Sequence, residues 1–324
     1  MNKKTRTEIK KALKKGACAI SGLLGRYGNP IWIVGDGRSG TTWVSEMVNY
    51  SQKYRELFEP FHPFSIQNFE HFQLNQYLRP DELSNELIPV LHSIFSGRFY
   101  YDRPEDRVPL MLHKGLIVKD IFSNLYLFWI REHIPNVRIV FLIRNPFAVA
   151  ASKRRLRDWF WMENPIDFLE QDKLVEDFLS PHSDFLSAIG PDYLQRQLAI
   201  WSVLHYVPLR QLKTVSDVHI LFYEDLVLTP ELEIPRLFQY LFGAQSSDLQ
   251  QLDIASIALK PSRLAFNKEM GKDRYAPVFS WEANVSRQEI ERGMEILRHF
   301  GLEEIYGGRS KPDRGALENF IERS

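Results

Sequence analysis

Short apolar runs alternate with amphipathic segments along most of this chain. The runs are rich in β-branched residues and have the length of buried strands, whereas the segments between them place apolar residues at helical spacing. The predicted strands lie within residues 31–34, 54–63, 115–120, 139–143 and 219–226, and the clearest helices cover residues 41–48, 194–212 and 286–300. This alternation predicts a single α/β domain with a central, mostly parallel sheet and helices on both faces.

The first predicted strand leads into a glycine-rich loop and then a helix, with the sequence I-W-I-V-G-D-G-R-S-G-T-T-W-V-S-E-M-V over residues 31–48. A strand, a glycine-rich turn and a helix together direct free backbone N–H groups and a helix dipole at an anion. Gly37 and Gly40 allow the backbone to close round a phosphate, and Arg38 adds a permanent positive charge. Hydroxyl donors are supplied by Ser39, Thr41 and Thr42. The segment therefore predicts a phosphate-binding loop.

Comparison with the loop of nucleoside triphosphatases limits which phosphate compounds this loop is expected to bind. That loop has the pattern G-x-x-x-x-G-K-[ST], in which Lys contacts the β- and γ-phosphates. Gly35 and Gly40 match and Thr42 supplies the hydroxyl, but Thr41 occupies the Lys position and the cation has moved to Arg38. ATP or GTP hydrolysis is disfavoured, and a small-molecule kinase stays as an alternative.

A second motif follows the strand predicted at residues 139–143. Arg144 leaves the end of this strand, Asn145 can cap the next helix, and Pro146 suits the first helical position. Ser152 then lies two turns into the helix. An Arg and a Ser placed in this way can bind one phosphate, through a bidentate contact and a neutral donor. An isolated Arg at a strand end is more often an ion-pair partner. This motif therefore indicates phosphate binding only in combination with the first loop.

With both motifs in view, the chain resembles the sulfotransferases that use 3′-phosphoadenosine 5′-phosphosulfate (PAPS). Their 5′-phosphosulfate loop follows a strand as [KR]-[ST]-G-[ST]-[ST], often with an aromatic residue next, and residues 38–43 fit at every position. Their 3′-phosphate site has the spacing strand-R-x7-S-helix, which Arg144 and Ser152 reproduce. The resemblance covers about residues 31–307. It implies PAPS as co-substrate and no metal, and it assigns to the nucleotide Gly37, Arg38, Ser39, Gly40, Thr41, Thr42, Trp43, Arg144 and Ser152.

Candidate catalytic residues follow the second and third strands, where ligands gather in open α/β sheets. Sulfuryl transfer to a hydroxyl needs a base, which Glu59 or His62 can supply. Carbohydrate sulfotransferases carry a similar Glu-Pro, so the resemblance favours Glu59 and a carbohydrate or glycolipid acceptor. It also places Lys119 near the bridging oxygen of the sulfate ester, where Lys119 and Arg38 stabilise charge on the leaving phosphate. The structural alternative is a turn cap at Glu59, a backbone-bonded His62, and a Lys119–Asp120 ion pair.

Three further segments complete the organisation of the chain. The sulfotransferase-like domain is predicted over residues 30–310, with a helical insertion at 64–112 that forms a wall of the acceptor site. By resemblance, Ser262 and Arg263 assist at the 3′-phosphate, although their loop departs from the R-K-G form of the cytosolic enzymes. Residues 311–324 are predicted to be a C-terminal tail. The basic run after Ser152 is interpreted as the exposed end of a helix.

Composition excludes some partners and leaves others open. The chain has 324 residues and a formal net charge of zero, so no global field favours nucleic acid. Cys18 is the only cysteine and fits a reducing compartment. No apolar run reaches the length that spans a bilayer, and we expect a cytoplasmic enzyme. Residues 1–29 form a basic helix or tail, interpreted either as a solvated segment or as a peripheral contact with an anionic membrane.

These features leave two functional alternatives beside PAPS-dependent transfer to a small-molecule or glycan acceptor. One is the small-molecule kinase noted above. The other is a non-catalytic protein that binds a nucleotide or an acidic sugar on the same scaffold. Glu59 and Lys119 argue against the second, because a binding protein needs neither a base nor a cation at a leaving group.

Overall fold

The structure is a computed structural model of the chain. It describes residues 3–62, 74–100, 103, 106–109, 112–156, 161–212, 218–244, 253–260, 263, 273 and 275–323.

A five-stranded parallel sheet forms the centre of the fold. Its strands are β1 (Ile31–Gly35), β2 (Arg55–Phe58), β3 (Leu116–Asp120), β4 (Arg138–Ile143) and β5 (Val218–Phe222). They lie in the order β2-β3-β1-β4-β5, and all four neighbouring pairs are parallel. The predicted α/β class with a central, mostly parallel sheet is confirmed.

The helices lie between and after these strands. Their bounds are α1 (Lys3–Leu23), α2 (Thr41–Val48), α3 (Leu87–Phe95), α4 (Leu127–His133), α5 (Pro146–Leu156), α6 (Asp172–Leu174), α7 (Ser183–Ser187), α8 (Tyr193–Gln211), α9 (Tyr223–Leu228), α10 (Pro230–Phe242), α11 (Ile254–Leu259), α12 (Ala276–Phe279), α13 (Arg287–His299), α14 (Glu303–Tyr306) and α15 (Arg314–Glu322). Short 3-10 turns cover Asn124–Tyr126, Pro165–Glu170 and Ser180–His182, and a π-helical turn covers Val175–Leu179.

Two buried clusters cover the two faces of the sheet. Along β1, Trp32 and Val34 belong to one cluster, whereas Ile31 and Ile33 belong to the other. Successive side chains of a strand point to opposite faces, so this division shows that helices pack on both sides. All four side chains are at most 2% exposed, and each such burial contributes about 1.5–3 kcal/mol.

The fifth strand ends earlier than the sequence analysis predicted. The backbone leaves the sheet after Phe222 and continues as α9. Tyr223, Leu226 and Val227 are all buried in the same cluster, at the i, i+3 and i+4 spacing of one helical face. Because this spacing buries all three against one face of the sheet, helix replaces strand here.

Strand order opens a crevice at the carboxyl edge of the sheet. From β1 the chain passes over β3 to reach β2, and from β4 it continues in the opposite direction to β5. The connections that follow β1 and β4 therefore diverge, and neighbouring strands with diverging connections form the usual ligand crevice of open α/β sheets. The loop after β1 and Arg144 after β4 lie on the two sides of this crevice.

Both ends of the chain carry helices that contact the domain. Ser21 of α1 is fully buried, and its Oγ accepts a hydrogen bond from the backbone N–H of His113 at 3.0 Å. At the other end, the segment predicted as a tail contains α15, which packs with Leu317 buried and Arg314 paired to Asp225 at 2.6 Å. Asp313 caps α15 by accepting from the N–H of Ala316 at 3.0 Å. None of the described helices combines the length and apolar character needed to cross a bilayer.

Candidate functional site

The loop after β1 turns sharply before α2. Gly40 precedes the helix with φ 99° and ψ 14°, and Arg38 also has a positive φ of 72°. A Cβ on Gly40 would lie 2.7 Å from Cδ2 of Tyr223, so glycine is needed here for both conformation and space. The turn points the first N–H groups of α2, which have no intrahelical acceptor, to the carboxyl edge of the sheet. These amides belong to Thr41, Thr42 and Trp43.

The structure brings the two phosphate motifs together. Nε of Arg38 donates to Oγ of Ser152 at 3.2 Å, and Nη1 of Arg144 donates to the carbonyl oxygen of Arg38 at 2.9 Å. The sequence analysis assigned Arg38 to the 5′-phosphosulfate and the other two residues to the 3′-phosphate. In the structure, the Arg38 side chain lies with Arg144 and Ser152, so the three form one group that we call the cationic cluster.

Electrostatics and unmet hydrogen bonds both suit an anion at the cationic cluster. Burial, followed by the charges of Arg144 and Arg155, lowers the pKa of Arg38. Like charges gathered at a buried place repel one another, and a bound anion offsets that repulsion. The buried Oγ of Ser39 and Nε of Arg144 find no hydrogen-bond partner among the described residues. Two polar atoms in this state fit a ligand that accepts hydrogen bonds.

An aromatic pair borders the cationic cluster. The Arg144 guanidinium lies 4.3 Å from the centre of the Tyr223 ring, and its Nη2 donates to the carbonyl oxygen of Pro277 at 2.7 Å. The Trp43 ring meets Tyr223 edge-on at 5.4 Å between centroids, while its Nε1 donates to the carbonyl oxygen of Lys260 at 3.1 Å. Tyr223, which the sequence placed in the last predicted strand, therefore contacts one residue from each of the two motifs.

A buried ion pair joins the loop after β1 to α5. Nζ of Lys153 donates to both carboxylate oxygens of Asp36, at 2.9 and 2.8 Å, and the two side chains are 2% and 5% exposed. The interpretation of the basic run as an exposed helix end is therefore wrong for Lys153. A sequence indication did exist, because Lys153 follows the apolar Val149 by one helical turn and so shares its buried face.

Glu59 and Lys119 form a second charged group at the same edge of the sheet. Nζ of Lys119 lies 2.5 Å from Oε1 of Glu59, and Nη1 of Arg103 lies 3.7 Å from Oε2. The sheet register explains the meeting, because Phe58 pairs with Lys119 across β2 and β3 and Glu59 comes next. Asp120 instead accepts hydrogen bonds from the N–H groups of Phe61 and Phe122, so the alternative pairing of Lys119 with Asp120 is not observed.

His62 lies beside this group, enclosed by aromatic rings. Its ring centroid is 4.5 Å from that of Trp161 and 5.0 Å from that of Phe122, both edge-on. Burial lowers the pKa of His62, the charge of Arg103 lowers it further, and Glu59 opposes both. The lowered pKa favours the neutral imidazole, the form that can accept a proton.

One family of known proteins matches most of the chain. The pattern of the Sulfotransferase family matches residues 30–244, about two thirds of the chain. The chain belongs to the sulfotransferase family. No curated protein matches it.

Two solved sulfotransferase domains are similar over most of the chain. One is from the curacin biosynthetic pathway, with 16% identity and a TM-score of 0.44 over 83% of this chain and 95% of that one. The other is from the olefin synthase of Synechococcus PCC 7002, with 16% identity and a TM-score of 0.41 over 84% and 94% of the respective chains. The family assignment rests on the family match.

The remaining predicted residues of this sulfotransferase lie apart from the cationic cluster or outside the described residues. Arg263 donates from its backbone N–H to Glu46 at 3.2 Å and from Nη2 to Glu56 at 3.3 Å, so it lies against α2 and β2. Ser262 lies outside the described residues. Within the described part of the chain, no three His, Cys, Asp or Glu side chains are arranged to hold a metal ion.

Proposed function

We propose that this sulfotransferase moves the sulfuryl group of PAPS to the hydroxyl of a carbohydrate or glycolipid, and releases adenosine 3′,5′-bisphosphate. The observation that carries the proposal is the cationic cluster of Arg38, Arg144 and Ser152 in the crevice between β1 and β4. It unites two motifs that lie 106 residues apart in sequence, and it is bordered by buried polar atoms without partners among the described residues. This arrangement suits a ligand with a phosphate group.

In this proposal, two sets of residues bind the two ends of the nucleotide. Arg38, Arg144 and Ser152 bind the 3′-phosphate, which is supported by the hydrogen bonds that join Arg38 to each of the other two residues. The loop amides that begin α2, with the hydroxyls of Ser39, Thr41 and Thr42, bind the 5′-phosphosulfate. Trp43 supplies an aromatic face for the nucleoside beside them.

Glu59 and Lys119 carry the transfer step. Glu59 takes the proton of the acceptor hydroxyl as its oxygen bonds to sulfur, and Lys119 donates to the bridging oxygen that leaves with the phosphate. Their 2.5 Å contact holds the base and the cation on the same side of the crevice. His62, neutral and adjacent, is the second candidate base. The half-buried Trp161 ring beside it suits the apolar face of a sugar ring, which supports a carbohydrate acceptor.

Titration calorimetry with adenosine 3′,5′-bisphosphate tests the nucleotide assignment. Wild type should bind it in preference to ATP with magnesium, and Arg144→Ala should weaken binding by about 1.5–3 kcal/mol, the range for hydrogen bonds to charged groups. Arg138→Ala is the matched control, because it removes an arginine from the opposite end of the same strand. Tighter binding of ATP, or equal losses in both variants, would refute the assignment and favour a kinase.

Release of adenosine 3′,5′-bisphosphate from PAPS, measured with a panel of carbohydrate and glycolipid acceptors, tests the catalytic assignment. Glu59→Gln should lose turnover by about 10²–10⁴-fold, the contribution of a positioned base, while it keeps the affinity for the bisphosphate. Unchanged turnover would remove Glu59 as the base, and selective loss in His62→Gln would assign His62 instead. Bisphosphate binding without transfer to any acceptor in the panel would favour a non-catalytic binding protein.

A further inference from the structure

The helix α1 exposes an apolar stripe to solvent. Of the eleven large hydrophobic side chains that are exposed among the described residues, five lie within residues 9–24. They are Ile9, Leu13, Ile20, Leu23 and Leu24, with 45%, 55%, 53%, 89% and 57% of their surface exposed. At 100° per residue, Ile9, Leu13, Ile20 and Leu24 fall within about 60° of one another, so they form one continuous stripe. Scattered apolar residues need no explanation, but a contiguous stripe does.

This stripe faces away from the domain. Cys18 lies on the opposite side of α1 and is 5% exposed. Ser21 lies about a quarter turn from the stripe, is 0% exposed, and accepts a hydrogen bond from the N–H of His113. The helix is therefore attached through one face while its apolar stripe is left to another partner. Apolar side chains at this exposure do not help α1 pack on its own domain.

Cations border the stripe. Arg6 and Lys10 lie on one flank of the stripe, and Lys15 lies about 150° from its centre on the far side of the helix. All three side chains are exposed to solvent. Residues 1–29 hold eight Lys and Arg against the single acid Glu8, a net charge of +7 in a chain that is neutral overall. The remainder of the chain consequently carries −7. An anionic surface attracts this segment and repels the rest, which gives the protein a defined orientation.

We propose that α1 docks on a membrane surface that contains anionic lipids, with its apolar stripe inserted among the headgroups and its flanking cations on the lipid phosphates. A basic amphipathic helix with an apolar face lies in the plane of such an interface. A second copy of this chain is the weaker occupant, because pairing two copies of α1 brings two strongly positive segments together. Because α1 is strongly positive, we infer that its partner is an anionic bilayer and not a second copy of the chain.

Docking in this way leaves the candidate active site uncovered. His113 precedes β3, so its contact with Ser21 places α1 at the amino edge of the sheet. The cationic cluster and Glu59 lie at the carboxyl edge. Membrane binding and nucleotide binding are thus separable, and this inference does not depend on the proposed function.

Co-sedimentation with vesicles tests the proposal on the full chain. Wild type should sediment with vesicles of phosphatidylglycerol mixed with phosphatidylcholine, should stay in solution with phosphatidylcholine alone, and should be released by high salt. The double substitution Leu13→Glu and Ile20→Glu should weaken binding more than tenfold, because two inserted side chains are lost. The matched control is Leu83→Glu with Leu232→Glu, two side chains that are 80% and 57% exposed outside α1.

Several outcomes would overturn the docking proposal. Failure of wild type to bind anionic vesicles would do so, as would an equal loss in the control double variant. Wild type that forms dimers without binding vesicles, and becomes monomeric in the Leu13 and Ile20 variant, would assign the stripe to a contact between copies. If that variant fails to fold, Arg6→Glu with Lys10→Glu replaces it. The affinity of this charge-reversed chain for anionic vesicles should fall at least tenfold, and unchanged binding would refute the proposal.

Discussion

The buried ion pair between Asp36 and Lys153 should behave very differently from a surface pair. Lys153→Met removes the cation but keeps most of the side-chain volume. The Asp36 carboxylate then stays buried without its main ion-pair partner. The two side chains are 5% and 2% exposed, and both carboxylate oxygens contact Nζ within 2.9 Å. Breaking a pair this deeply buried costs about 3–5 kcal/mol of the free energy of unfolding.

Equilibrium urea unfolding of a double-mutant cycle measures this effect. We expect Lys153→Met and Asp36→Asn each to lose about 3–5 kcal/mol, and the double variant to lose far less than their sum, since no lone charge remains buried. The matched control is the same cycle on Arg287 and Glu291, an ion pair of 3.1 Å whose side chains are 93% and 62% exposed. That pair should couple by no more than about 0.5 kcal/mol.

Two results would refute this reasoning. If each single variant lost less than about 1 kcal/mol of the free energy of unfolding, the buried pair would contribute no more than a surface pair does. Additive losses in the double variant would show that each side chain acts through other contacts. The same variants should also bind adenosine 3′,5′-bisphosphate more weakly, because the ion pair holds the loop after β1 against α5, next to Ser152.

Three further changes test single features of the site. Gly40→Ala should lower the free energy of unfolding by about 1–3 kcal/mol and abolish bisphosphate binding in calorimetry, because its φ is 99° and the new Cβ meets Tyr223; a stable variant that binds would contradict this. Ser39→Ala should leave the midpoint of urea unfolding unchanged, since its Oγ has no hydrogen-bond partner among the described residues. It should nevertheless weaken binding of the bisphosphate by about 0.5–1.5 kcal/mol. Burial raises the pKa of Glu224 from its ordinary 4.5 to about 7, so its neutral form is favoured in the folded state. The stabilisation that this group contributes is present below pH 4.5 and is lost as pH rises through 7. Glu224→Gln cannot titrate, so it should flatten that part of the profile of stability against pH, measured by thermal unfolding. Parallel profiles for wild type and variant would assign the pH dependence to other groups.

Elements that depend on neighbours in sequence were predicted correctly. The apolar run of β1, the glycine turn before α2 and the cap of α5 by Asn145, whose Oδ1 accepts from the N–H of Ala148 at 3.0 Å, all agree with the prediction. The helix predicted over residues 286–300 is also observed, and it begins with a capping box between Ser286 and Glu289. Each of these features is decided within a few residues, by backbone geometry and side-chain periodicity.

Partner choice within the site was decided by the tertiary structure. The pairing of Lys119 with Glu59 spans 60 residues, and that of Lys153 with Asp36 spans 117. Neither follows from local pattern, because each depends on which strands are neighbours and on which cations the fold removes from water. The sequence alone therefore determined the fold class and the glycine-rich turn between β1 and α2. Strand order and burial decided that Arg38 joins Arg144 and Ser152, since only the folded crevice brings residues so distant in the chain together.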